Sequence, residues 1–242
     1  LDESAYGEPN ATTIVDALCR WPASDSAEAP HLLCDSRAAH RVLLDAGLGP
    51  SVANSFLVVA GRDQTALGQH VRPALAWLTG SRRRSTWQRW RELRRAGDGK
   101  EVAIIRSNGD HKQVAWLRQI EPTEVAWVDG RNLERILLDS IVDGDHDAID
   151  AALSGWMSAL EAQATEVTGV ESHSFVDRHT SRILPGDMID SNFSNWVVTS
   201  DGMYELIDRE WVAEGGADID LVAARALLYA AHDIVVNGVA HP

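Results

Sequence analysis

The sequence predicts an α+β fold in which a small antiparallel sheet precedes a mainly helical half. The two form lobes with a cleft between them, and an α/β fragment lies ahead of both. Three observations predict it. Between residues 85 and 130 short apolar runs alternate and are separated by turn residues. After Gly130 the apolar residues recur at three and four instead. Residues 1–62 hold helical and strand-like stretches but too few strands for a sheet of their own. The expected organisation is 1–62, 63–129 and 130–242.

Taken in order, the first segment predicts a helix at 12–21, a short strand at 31–34, a helix at 35–46 and an apolar strand at 55–60. The second helix rests on Ala38, Val42, Leu43 and Ala46, which share one side, and Gly47-Leu48-Gly49-Pro50 stops it. Residues 81–95 carry seven Arg and one Glu with Trp87 and Trp90 interleaved. They read as a solvated connector whose tryptophans pack inward, or as a strip able to contact an anionic surface. Ala96-Gly97-Asp98-Gly99-Lys100 then turns the chain into a strand at 102–106. Ser107-Asn108-Gly109-Asp110 is the next turn, and 114–120 reads as one apolar strand.

Residues 124–130 form an extended segment that leads into a helix. Leu133, Ile136 and Leu137 share a face of it, and Ile149, Leu153, Trp156, Met157 and Leu160 make the stripe of a second helix packed on a core. Two short strands at 196–199 and 204–207 are joined by Ser200-Asp201-Gly202. A last helix, Ala- and Leu-rich, spans 218–235, with Asp218 or Asp220 favoured at its start by the helix dipole.

Composition narrows the function classes. The chain has 242 residues and a net charge of −14, and its 26.4 kDa can bury a core without disulfide or metal staples. The acidic balance argues against nucleic acid as a partner, because phosphate affinity rests on a basic face. No apolar run approaches the ~20 residues of a membrane span. The start, Leu1-Asp2-Glu3-Ser4, has neither a basic region nor an apolar core, so it reads as a cut from a longer chain and not as a signal peptide. Cys19 and Cys34 match no zinc spacing and read as reduced thiols, which points to the cytoplasm. The nine histidines, His173 and His179 among them, show no ligand spacing. Asn10-Ala11-Thr12 matches a glycosylation sequon by chance. Most of the nine tryptophans read as core, although aromatic faces also suit sugar rings.

One stretch carries chemistry. Within residues 184–211, Asp190 and Asn195 are five apart and Asn195 and Asp208 thirteen apart, with the two-strand hairpin between them. That spacing puts a loop Asp, a loop Asn and a strand-end Asp at the mouth of one hairpin. Phosphoryl transfer needs a carboxylate to orient and deprotonate an incoming hydroxyl, and oxygen ligands for Mg²⁺. Asn195 and Asp208 are hard oxygen donors of the required kind. Asp187 reads as a loop-structuring acceptor, and Glu210 as a surface or salt-bridged residue. As ordinary turn formers, Asp190, Asn195 and Asp208 would carry no chemistry at all.

These residues resemble the catalytic loop and metal-binding Asp of the protein-kinase-like superfamily, in particular its aminoglycoside phosphotransferase-like members. The resemblance implies that Asp190 is the catalytic base, Asn195 the metal-binding asparagine, and Asp208 the Asp that opens the family's Asp-Phe-Gly segment, here Asp208-Arg209-Glu210. The His that often precedes the catalytic Asp is absent. More closely, residues 184–195 followed by 206–211 resemble the kinase region attached to bacterial surface-polysaccharide methyltransferases, which caps a glycan by phosphorylating its terminal sugar. Residues 54–60 are similar to the closing strand of such a methyltransferase. The implied function is an ATP- and Mg²⁺-dependent phosphotransferase acting on a hydroxyl of a sugar or polysaccharide terminus. Its strand lysine would be replaced by Arg106, with Lys112 one hairpin later. Glu124 to Trp127 would form the hinge that meets the adenine ring, with a plain buried strand as the other expectation. Because the strand lysine is missing and the glycine turn at 96–99 is a poor version, a pseudokinase or interaction module without transfer is the alternative.

Overall fold

The computed structural model describes residues 36–48, 74–79, 89–95, 101–107, 113–120 and 124–236. The expected helix at 12–21, the strands at 31–34 and 55–60, the turn at 96–100, both cysteines and Lys112 lie outside the described residues. The described elements are mixed helix and small antiparallel sheets, an α+β composition. They fall into two compact units.

The first unit holds helix α1 (Ser36–Asp45) and a four-stranded antiparallel sheet. Its strands are β1 (Ala74–Thr79), β2 (Arg89–Arg95), β3 (Glu101–Ser107) and β6 (Glu124–Ala126), in the order β1-β2-β3-β6. Trp77 lies opposite Glu92, Leu93 opposite Ala103 and Val102 opposite Ala126. The Arg-rich stretch is therefore no connector over 89–95: it is an inner strand paired on both sides. Leu93 is 1% exposed, and Arg94 Nη2 donates to Glu92 Oε2 at 2.6 Å. A buried carboxylate is tolerated only when paired, and the cation two residues along the same strand face supplies the pair. Charge density alone suggested a solvated segment; pairing with two apolar-rich strands overrode it.

The second unit holds residues 113–120 and 128–236. Its expected single strand at 114–120 is instead a tight hairpin of β4 (Gln113–Val114) and β5 (Leu117–Gln119). Ala115 takes φ 50° at the turn, a left-handed conformation that costs an L-residue about 1–2 kcal/mol. Two contacts compensate. Trp116 stacks on His173 with ring centroids 4.9 Å apart, and the backbone N–H of Glu214 donates to the Trp116 carbonyl at 2.7 Å. No turn residue marks 115–116, so periodicity ran straight through them. Strand β5 pairs with β12 (Trp211–Ala213), which crosses the expected boundary at residue 129.

After β7 (Arg131–Asn132) come the two expected helices, α2 (Leu133–Asp143) and α3 (His146–Glu161). Asn132 caps α2 and Gly144, at φ 68°, ends it in the left-handed conformation; Asp145 caps α3 by accepting from the Ala148 N–H at 3.0 Å. Leu133, Leu137, Trp156 and Leu160 enter the core, and Ile136, Ile149, Leu153 and Met157 pack at its edge, as the stripes predicted. Strands β8 (Thr165–Glu166), β9 (Arg182–Leu184) and β13 (Ala217–Asp218) form a sheet in the order β13-β9-β8. Strands β10 (Trp196–Val198) and β11 (Tyr204–Leu206) form the expected hairpin, and β7 adds to it in the order β11-β10-β7. Helix α4 (Ile219–Val236) closes the described chain. Among the described residues no helix is long and apolar enough to cross a membrane.

Candidate active site

The candidate loop runs from the end of β9 to the start of β10, through two 3-10 turns, Gly186–Met188 and Phe193–Asn195. Its apolar residues nail it down: Met188, Ile189, Phe193 and Trp196 are 6% exposed or less and belong to the core. Each such side chain contributes about 1.5–3 kcal/mol by burial, and Phe193 meets Trp156 edge-on at 4.6 Å. Asn132 ties the loop to the start of α2, its Nδ2 donating to the carbonyls of Ser194 at 2.8 Å and Trp196 at 3.3 Å. Polar residues 190, 192 and 195 are interleaved with these anchors, so their backbone positions follow from packing.

Asp190 is the hub of the polar set. Its Oδ1 accepts from Asn192 Nδ2 at 2.7 Å and from Arg225 Nη2, on α4, at 2.8 Å. Its Oδ2 accepts from Asn195 Nδ2 at 3.3 Å, and the same amide donates to the Asp190 carbonyl at 2.8 Å. The Asn195 nitrogen is thus committed to Asp190, which leaves the amide oxygen as its donor end for a cation. Trp196 pairs with Leu206 in the hairpin, and the Ile207 N–H donates to the Asn195 carbonyl at 2.8 Å. Asp208 therefore follows at the same end of the hairpin as Asn195. The two are buried, at 9% and 5% exposure.

Asp187 accepts from Arg209 Nη1 at 2.8 Å in an exposed pair, worth at most about 1 kcal/mol. It stands five residues before Asn192, the interval that also separates Asp190 from Asn195. The loop thus carries two overlapping Asp/Asn pairs, of which the upstream carboxylate is the more exposed, 32% against 15%. Ser191, between them, is 1% exposed, and its hydroxyl makes no hydrogen bond among the described residues. Glu210 is not at the surface: it is 4% exposed, and its Oε1 accepts from the Trp211 indole at 2.8 Å. At the far end of the hairpin, the Thr199 hydroxyl holds the Asp201 carboxyl below its usual range, and burial pushes the Tyr204 phenol up.

The structure brings Asp190, Asn195 and Asp208 to one loop-and-hairpin end in the second unit. Arg106, Glu124 and Trp127 belong to the first unit: Arg106 lies in β3 opposite Trp90, Glu124 opens β6, and Trp127 follows it half-buried. All three residues of β6 are exposed, so it is not a buried strand. Lys112 lies outside the described residues. Among the described residues no three His, Cys, Asp or Glu side chains are grouped to hold a metal. The Asp208 carboxylate and the Asn195 amide oxygen are hard donors of the kind Mg²⁺ takes. Arg225 escaped the sequence reading, although its signal was there: it is the only Arg or Lys of an Ala- and Leu-rich helix. No family model, no curated protein and no solved structure matches the chain.

Proposed function

We propose that the chain is a Mg²⁺- and ATP-dependent phosphotransferase of protein-kinase-like, two-lobed architecture, acting in the cytoplasm on a hydroxyl of a sugar or polysaccharide terminus. The observation that supports it is the loop of residues 186–195, anchored in the core by Met188, Ile189 and Phe193 and by Trp196 just after it, with Asn195 next to the strand-end Asp208. In this reading a carboxylate oxygen of Asp190 orients the acceptor hydroxyl and takes its proton. Asn195 and Asp208 are the residues that would hold Mg²⁺, which, when bound, neutralises charge developing on the phosphates. Arg106 or Lys112 would pair with the nucleotide phosphates, Arg as a bidentate fork and Lys as a point charge. Glu124 and Trp127 would flank the base. Fixed dipoles and charges supply most of the rate enhancement in such chemistry.

The second reading, a pseudokinase or interaction module, is favoured by the Asp190–Arg225 ion pair and by the burial of Asn195 and Asp208. Thermal denaturation with ATP, with and without Mg²⁺, followed by phosphorus NMR of ATP consumption with and without a mixture of sugars, separates the two. A ligand at about 100-fold over its Kd stabilises by about 2.7 kcal/mol. At about 2–4 °C per kcal/mol for a chain of this size, that is roughly 5–11 °C. Asp208→Asn is expected to abolish the Mg²⁺-dependent part of the shift and all ATP consumption. Full activity in that variant refutes the metal assignment, and no shift in the wild-type chain at millimolar Mg–ATP leaves the module reading standing. Asp187→Asn beside Asp190→Asn decides which carboxylate takes the proton.

A further inference from the structure

We infer that Arg225 is a positioning residue, a latch from the last helix that orients Asp190 and sets the loop for transfer. This inference rests on the phosphotransferase reading above. Its two guanidinium nitrogens grip consecutive residues: Nη1 donates to the Ile189 carbonyl and Nη2 to Asp190 Oδ1, both at 2.8 Å. A planar fork can hold a backbone oxygen and a carboxylate oxygen at once, whereas an ammonium acts as a single point. The fork is itself braced, with its Cζ 5.2 Å from the centroid of the Tyr229 ring one helical turn along. Behind it, Val222 and Ala226 of the same helix are 2% and 1% exposed in the core, which fixes where the arginine stem leaves α4.

The geometry has a directional consequence. With Oδ1 held by Arg225 and Asn192, the Asp190 carboxylate cannot rotate, so Oδ2 keeps one orientation, beside the Asn195 amide. Without Arg225 the carboxylate gains a rotor, and the Ile189 carbonyl loses its partner at the entrance to the 190–195 stretch. The Asp190 carboxylate then loses its alignment, while Asn195 stays seated by its backbone bonds to Asn192 and Ile207 and the apolar anchors at 188, 193 and 196 remain. Arg225 touches neither of the residues assigned to Mg²⁺, so its loss is expected in kcat and not in nucleotide affinity.

The experiment compares the wild-type chain with Arg225→Ala and Arg225→Lys. Hydrogen exchange of peptides covering residues 186–196 is measured without nucleotide, and the Mg–ATP thermal shift and ATP consumption are measured with it. Both variants are expected to speed exchange of the loop about tenfold or more, the scale of losing charge-assisted hydrogen bonds, with exchange across α3 unchanged. They are also expected to keep the Mg–ATP shift while losing about tenfold or more in kcat. Guanidinium chloride at about 20 mM is expected to recover turnover in Arg225→Ala and not in Arg225→Lys. If Arg225→Ala fails to fold, Arg225→Lys carries the comparison. Wild-type loop exchange in both variants, or a wild-type kcat in Arg225→Lys, overturns the latch. Absence of a Mg–ATP shift in the wild-type chain overturns the phosphotransferase reading instead, and the exchange measurement then judges the latch alone.

Discussion

Gly186 offers a direct test of how the candidate loop is seated. A Cβ at this position would lie 2.0 Å from the carbonyl oxygen of Ala213 and 3.0 Å from its carbon, against an ordinary contact beginning near 3.4 Å. The approach is backbone to backbone, so no side chain can rotate away. Gly186→Ala has to part the 3-10 turn at 186–188 from strand β12 by more than 1 Å. The displaced Ala213 carbonyl also accepts the Gly216 N–H at 3.1 Å. Overpacking of this kind costs about 1–3 kcal/mol, and losing the hydrogen bond adds about 1 kcal/mol, giving roughly 2–4 kcal/mol. At about 2–4 °C per kcal/mol the Tm falls by roughly 4–16 °C. Thermal and urea denaturation followed by tryptophan fluorescence read this out, with Gly144→Ala as the comparison. Gly144 has the left-handed φ of 68° but nothing within 4 Å of its Cβ, so there only the backbone strain of about 1–2 kcal/mol applies. If Gly186→Ala melts within the ±0.5 kcal/mol typical of surface changes, or no lower than Gly144→Ala, the close approach does not exist and the seating of the loop is wrong.

Two further outcomes follow from the same geometry. Asn132→Asp keeps an N-cap acceptor for the Arg135 N–H but sets a carboxylate against the carbonyls of Ser194 and Trp196. It is expected to cost about 2 kcal/mol or more in denaturation despite Asp being a good cap, and a change under 0.5 kcal/mol would show that the side chain serves α2 alone. Burial raises the Tyr204 phenol above its usual value, and its hydroxyl donates to the Ala152 carbonyl at 3.3 Å. The raised value means that the folded state favours the neutral phenol. The contribution is complete below the unfolded value of about 10 and is lost as pH rises through the folded value. The difference between the absorbance titrations of the wild-type chain and Tyr204→Phe should show an ionisation above the usual tyrosine value; a difference curve centred at that value would contradict the burial.

The helices α2, α3 and α4 and the β10–β11 hairpin were legible in residue order because each carries its own signal: an apolar repeat at three and four, an Ala- and Leu-rich run with an Asp near its start, or a Ser-Asp-Gly turn. The intervals between Asp190, Asn195 and Asp208 were legible for the same reason, since a two-strand hairpin of known length brings its ends together whatever surrounds it. Local chemistry could not show that the Arg-rich residues 89–95 form an inner strand, that 114–120 breaks into a hairpin, or that Glu210 is buried against an indole. The first depends on both neighbouring strands, β1 and β3, closing on β2 at once; the other two depend on partners far away in sequence, His173 for the second and the β5–β12 pairing for the third. Arg225 is the sharpest case. Composition marks it as the one Arg or Lys of its helix, but only the burial of Val222 and Ala226 in the core that also takes the loop's Met188 and Phe193 brings its guanidinium to Asp190, 35 residues upstream. Short-range periodicity and turn chemistry act within a few residues and can be read along the chain; the pairing of a charge with its counter-charge is decided by which surfaces bury together, and that is a property of the folded whole.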